Sequence, residues 1–370
     1  MSSTRLSLRA RAALTAVVLT AVCAVATAYA TSREFAVDAG GLPRIVIDRG
    51  DIIKKLYAHQ FDTLNAEMTA YEKKAESDPR YEMQAMVAFG AFSSSQSNIA
   101  ELTKQWCKAQ PHSYAAHLAR AEALSSMAAT WRGIETIDNT PASHIRQMEL
   151  YYADAVHEED LALASDPKLS IAHALKIKAA RVAGGDDEAE SAQGEALNRV
   201  PASFAVREQI IYALRPRWGG ARAAMAKFAE ESQEYSAENP SNRFLLAWLP
   251  LDQGDDFADN HQWYEAISYY NQALKVGGEY WTTYRRLANA YIEITNYKEA
   301  LRAALRANQL YPQNSEVLRM LAIASSSDDR PEACVLWSSQ YLRFELPDPL
   351  IFQIAQQSAQ ELKAQGKSNW

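Results

Sequence analysis

"WTTYRRLANAYIEITNYKEALRAALRANQLYPQN", Trp281 to Asn314, contains two helical patterns separated by a short polar break. Tyr284, Leu287, Ala288 and Tyr291 recur at steps of three and four, so they fall on one side of a first helix. "NYKEA" (Asn296–Ala300) supplies a turn and the start of a second helix, which Ala300, Ala304 and Ala307 line. Small residues let the paired helices cross closely, and the large aromatics fill the groove between them. Gly278 and Pro312, 34 residues apart, bracket the pair.

Similar breakers recur along the chain. Pro79, Pro111, Pro167, Pro201, Pro240, Gly278, Pro312 and Pro347 are separated by 32, 56, 34, 39, 38, 34 and 35 residues. The residue before a proline avoids the α region, so each of these prolines reads as a helix end. The wider gaps hold what read as inserts: "RPRWGG" (Arg215–Gly220), the acidic loop "PLDQGDDFADN" (Pro250–Asn260) and the loop "WRGIETIDNTPAS" (Trp131–Ser143). "WYEAISYYNQAL" repeats the opening pattern with Ala266, Tyr270 and Ala273, and "PEACVLWSSQYL" is a weaker copy. Further toward the N-terminus, Phe61, Leu64, Met68 and Tyr71 form one apolar stripe that Asp78-Pro79 ends. The final pattern, with Ile351, Ile354 and Leu362, reads as a polar capping helix.

These residues resemble tetratricopeptide (TPR) repeats over about Ser241–Asp348, two antiparallel helices per unit of about 34 residues. The resemblance implies an all-α fold, a right-handed α-solenoid of antiparallel helix pairs closed by the capping helix. A second resemblance spans about Asp51–Glu238 and is carried by "HSYAAHLARAEAL", "DLALASDPKLSIAHALKIKAAR" and "PASFAVREQIIYALRPRWGG". That region is similar to the bacterial domain-of-unknown-function 4034 family, which lends no reaction, ligand or catalytic residue. The expected organisation is a signal peptide or signal anchor (1–30) and a linker (31–50) with "RIVID" as a strand or extended lead-in. A helical domain (51–240), TPR repeats (241–348) and the cap (349–370) follow.

Arg5, Arg9 and Arg11 precede an apolar run from Ala12 to Ala30, the pattern of an export signal. The run also has the length of an uncleaved membrane tether. Either fate places the body in a bacterial envelope, periplasmic or secreted after cleavage, or held at the inner membrane. Without the leader, 35 basic side chains face 45 acidic ones, a balance that argues against nucleic acid as a partner. Cys107 and Cys334 lie in opposite halves of the chain and read as buried free thiols.

Chemistry is sparse in this sequence. It has no GxSxG, phosphate-binding Gly-rich loop, CxxC or HExxH, so a non-catalytic chain with no cofactor and no metal is expected. Asp154, His157 and Glu158 in "DAVHEEDLA" read as a solvated acidic face. An adaptor for another envelope protein or peptide follows, gripping it in a concave groove lined by first helices. In TPR proteins that clamp a peptide carboxylate, basic residues and Asn occupy inner-face positions comparable to Arg285, Asn289 and Arg319. The alternative is a small-ligand or glycan-binding protein, or a helical enzyme, using Arg215, Arg217 and Trp218. In the structural reading of that motif, Pro216 interrupts a helix, the glycines turn the chain and Trp218 plugs the groove between units.

Overall fold

The computed structural model describes residues 41–133, 139–345 and 348–367. The expected leader (1–30), the first half of the expected linker (31–40), Pro347 and part of the Trp131–Ser143 loop lie outside them. Every regular element among the described residues is helical. The "RIVID" segment is an extended lead-in without a ladder, and Leu42 and Ile47 are buried in the core.

In chain order the α-helices are α1 (Arg49–Tyr57), α2 (Phe61–Ser77), α3 (Glu82–Phe89), α4 (Ser97–Ala109), α5 (Tyr114–Arg132) and α6 (Ala142–Ser165). They continue as α7 (Ser170–Ala183), α8 (Asp186–Arg199), α9 (Phe204–Ala213), α10 (Arg222–Glu231), α11 (Trp248–Asp259) and α12 (Trp263–Gly277). The last are α13 (Trp281–Glu293), α14 (Tyr297–Leu310), α15 (Ser315–Ser327), α16 (Pro331–Tyr341) and α17 (Pro349–Ala364). From α5 to α16 consecutive helices pair, and α17 closes the stack against α15 and α16. The chain is thus an all-α array of TPR-like helix pairs.

The breakers end helices as expected, Pro111, Pro201 and Pro312 each following directly on a C-cap (Gln110, Val200 and Tyr311), and they also mark beginnings. Pro111, Pro201 and Pro312 each lie two residues before the N-cap of a first helix. The caps Ser113, Ser203 and Asn314 accept from the amides of Ala116, Val206 and Val317, which satisfies donors the helix itself cannot. Each proline fixes the approach of the chain, and the cap two residues on starts the helix. Of the expected core positions, Ala300, Ala304, Ala307, Leu64, Met68, Ala266, Ala273, Ile351 and Leu362 are fully buried, whereas Phe61, Tyr71, Tyr284, Tyr291 and Ile354 are half-buried against the core.

Pro250–Asn260 is not a loop. A 3-10 helix from Pro240 to Ala247 runs directly into α11, so the surplus length of this unit extends its first helix. Pro250 falls in the first turn of α11, where a missing N–H does little harm. The aspartates that made the segment look solvent-loving turn toward arginines of adjacent units.

The array closes round its own third helix. α3 is buried on nearly all sides, with Glu82, Met83, Ala85, Val87, Ala88 and Phe89 inside. It packs on α2, α5 and α9 and leaves α4 to pair with α5. Its contacts run along the N-terminal ends of successive first helices. The Glu82 carboxylate accepts from the Ser203 hydroxyl at 2.5 Å, the Phe204 amide at 2.8 Å and the Asn239 side chain at 2.7 Å. Next, the Tyr311 hydroxyl meets the Met86 carbonyl at 3.4 Å, and the Ser94 hydroxyl donates to the Phe344 carbonyl at 2.5 Å. Arg49 of α1 joins both ends, donating to the carbonyls of Gly90 and Gln313 between the rings of Tyr311 and Phe344. Gly90 leaves room for that ring, because a Cβ would meet the Tyr311 hydroxyl at 2.3 Å unless the side chain shifted.

Candidate functional site

The sequence points to two places, the "RPRWGG" turn and the exposed side of α13 and α15. α9 ends at Leu214, and Arg215 adopts an extended conformation before the 3-10 turn Pro216–Trp218. Gly219 takes the left-handed conformation (φ 85°), and Gly220 lies so close to the Leu214 carbonyl that a Cβ would sit 2.1 Å from its oxygen. This tight turn directs Arg215 back into the array. Arg215 is 2 % exposed and donates to Asp252 at 2.7 Å and Asp255 at 2.8 Å. Arg286 of α13 binds both oxygens of Asp255, at 2.7 and 2.9 Å, and the Tyr270 hydroxyl adds a third donor at 3.0 Å. Arg222 completes the cluster on Asp252 at 2.9 Å and on Asp256. The Arg215 and Arg286 guanidinium groups lie against the Trp248 ring, 6.0 and 5.5 Å from its centroid.

Three arginines therefore meet three aspartates, and the charges cancel. Burial favours a protonated Asp255, but Arg286 and Arg215 outweigh it and hold the carboxyl down at about 2. The Tyr270 hydroxyl shifts far up, through burial and then the Asp255 charge. Nearby, burial pushes Glu208 of α9 up to about 7, against the opposing hydrogen bond from Tyr280. With its carboxylates saturated by donors, this cluster joins α9, α11 and α13 into one body. Arg215, a ligand-binding side chain only in the alternative reading of the sequence, has both carboxylate partners inside the protein.

Arg217 and Trp218 stay at the surface. Trp218 is 37 % exposed, so Tyr212 fills the interior position assigned to it from the sequence. Tyr212 packs 5.5 Å from Trp248 and 6.2 Å from Trp218, and the Arg181 guanidinium lies over both Tyr212 and Trp218.

Arg285 and Arg319 occupy equivalent places on successive first helices, as their spacing required. Arg285 reaches Glu316 of α15 at 2.6 Å, and Arg319 reaches Asp348 at 2.7 Å. Asp348 also caps α17, accepting from the Leu350 amide at 2.8 Å. Asn289 is half-buried one turn beyond Arg285.

The "DAVHEEDLA" segment splits in two. Asp154 and His157 are exposed as expected, whereas Glu158 and Glu159 turn inward. Glu158 contacts His117 at 2.6 Å and Arg120 at 2.6 Å, and the Cys107 thiol lies 3.9 Å away. Sequence reasoning missed this group because its members come from α4, α5 and α6. One signal was legible: His117 and His173 each stand six residues after a proline, and each Nε2 contacts that proline's carbonyl at 3.0 Å. Cys107 and Cys334 are both free and buried, as expected.

A TPR-like array of helix pairs is the class these features define. No protein-family model matches the chain, and no curated protein matches it. The resemblance of residues 51–238 to the domain-of-unknown-function 4034 family finds no further support there. Among solved structures, the chain is similar to PilW, a widely conserved type IV pilus biogenesis factor. Identity is 16 %, coverage 60 % of this chain and 91 % of that one, and the TM-score 0.30. Yeast Tom70 shows 12 % identity over 86 % of this chain and 95 % of its own, with a TM-score of 0.29. The Cut9–Hcn1 assembly shows 14 % identity over 80 % of this chain and 58 % of the other, with a TM-score of 0.32. Likeness at this level bears on neither partner nor site. No described helix is long and apolar enough to cross a membrane.

Proposed function

We propose that the chain is an exported, non-catalytic adaptor that holds an acidic segment or free C-terminus of another envelope protein along α13 and α15. The observation that carries this reading is the one-unit register of Arg285 and Arg319 on successive first helices. The Arg285 partner, Glu316, has a side chain 64 % exposed, so a peptide carboxylate can replace it at little cost. Arg319 is tied more firmly, because Asp348 serves the cap of α17 as well. Arg285 and Asn289 therefore supply the first grip, through charge-assisted hydrogen bonds, and Arg319 extends it one unit along. The N-terminal leader delivers the body across the inner membrane, either cleaved or kept as a tether.

The test is fluorescence anisotropy with a panel of labelled acidic peptides, each in free-acid and C-terminally amidated form. At least one free-acid peptide binds, and Arg285→Glu together with Arg319→Glu weakens it by tenfold or more. A panel in which nothing binds, or binding indifferent to both arginines, removes the proposal. The alternative, a small ligand at the Arg217–Trp218 rim, rests on the exposed Trp218 ring beneath Arg181 and calls for a thermal shift that Trp218→Ala abolishes.

A further inference from the structure

Cys107, His117 and Glu158 bring a sulfur, an imidazole nitrogen and a carboxylate oxygen together, all within 4.8 Å of one another. We propose that this triad is a binding site for a divalent transition metal of zinc-like character, joining α4, α5 and α6. Thiolate, imidazole and carboxylate are all ordinary zinc ligands, and three protein ligands leave the fourth tetrahedral position for water. A thiolate and a carboxylate also neutralise a divalent charge.

The surroundings are already those of a ligand set. Nε2 of His117 contacts the Pro111 carbonyl at 3.0 Å, which fixes the tautomer and presents the Nδ1 lone pair to the ion. Arg120 holds the other oxygen of Glu158 at 2.6 Å and the Ala100 carbonyl at 3.2 Å, so the carboxylate enters with one oxygen. Donors round a tetrahedral zinc are roughly 3.3–3.7 Å apart. The sulfur–carboxylate separation of 3.9 Å is close to that, and the 2.6 Å His117–Glu158 contact has to open by roughly 1 Å.

The neighbouring unit is an internal control. His173 makes the same 3.0 Å contact with Pro167, so the proline contact belongs to the repeat. Four residues before Pro111 stands Cys107, yet four before Pro167 and Pro201 stand Leu163 and Leu197. The thiol is thus particular to one unit, where the histidine also finds an inward-turned glutamate.

Purified full-length protein is titrated with zinc chloride against a chromogenic chelator, and separately with cobalt(II) followed by absorbance. The expected result is one zinc per chain, a sulfur-to-cobalt charge-transfer band in the near ultraviolet and a higher melting temperature with zinc. Cys107→Ser abolishes the band, Glu158→Gln weakens zinc binding by about tenfold or more, and Cys334→Ser changes neither. The wild-type band and melting shift need no variant to fold. Absence of zinc binding, a cobalt spectrum without sulfur character, or a band that survives Cys107→Ser overturns the proposal.

Discussion

Asp255 and Glu72 are both acidic side chains withdrawn from water, and their fates are opposite. Asp255 lies between two arginines and a tyrosine, and its carboxyl is held at about 2. Glu72 of α2 is 5 % exposed, and one of its carboxylate oxygens has no partner. Burial, and then the charges of Glu82, Asp166 and Glu76, push it up to about 8. Burial alone therefore does not decide the charge of a carboxylate here. What decides it is whether a neighbouring element presents a cation: the turn after α9 and helix α13 do so for Asp255, and Glu72 forms no ion pair among the described residues.

The sharpest way to break the contrast is to remove the matched acid. Asp255→Asn leaves Arg286 buried without its counter-charge, and Arg215 with Asp252 alone, and should cost about 3–5 kcal/mol in urea unfolding. Replacing Asp255 and Arg286 together by leucine and methionine should cost distinctly less, because no uncompensated charge remains. A single substitution milder than the double would show that the network is not the lock described here.

The two acids also predict opposite limbs of a stability–pH curve. Asp255 is depressed, so its contribution is present above about pH 4 and is lost as pH falls through about 2. Glu72 is raised, so the fold is favoured below about pH 4.5 and loses stability as pH rises through about 8. Glu72→Gln should flatten the alkaline limb and add on the order of 3 kcal/mol at pH 9, read by denaturant midpoint. A limb that keeps its slope in Glu72→Gln assigns the effect to another group.

Exposed charges complete the series. Removing the Arg285–Glu316 pair by Arg285→Ala should shift stability by less than about 1 kcal/mol, since Glu316 remains solvated. The same substitution should weaken peptide binding at least several-fold, and that separation of stability from binding distinguishes a contact residue from a structural one.

Periodicity was readable because it is local. A helix pair announces itself in the three- and four-residue spacing of Ala300, Ala304 and Ala307, and a unit in a proline two residues before its cap. The one-unit register of Arg285 and Arg319 follows from the same arithmetic. The acidity of Pro250–Asn260 misled for the opposite reason. Composition reports how polar a segment is, not whether Arg215 and Arg286, 37 and 31 residues away from the aspartates they bind, will neutralise it.

By itself, then, the sequence settled the all-helical class, the unit length and the positions where small residues face the core, since each depends on neighbours within one or two turns. Only the tertiary structure decided that α3 leaves the stack and is enclosed by it, that Arg215 faces carboxylates, and that Cys107, His117 and Glu158 meet. Those outcomes depend on which distant unit arrives at a given face, and no spacing along one helix encodes that. The physical reason is that a buried charge or a buried helix is stable only with its complement in place, and here the complement comes from elsewhere in the array.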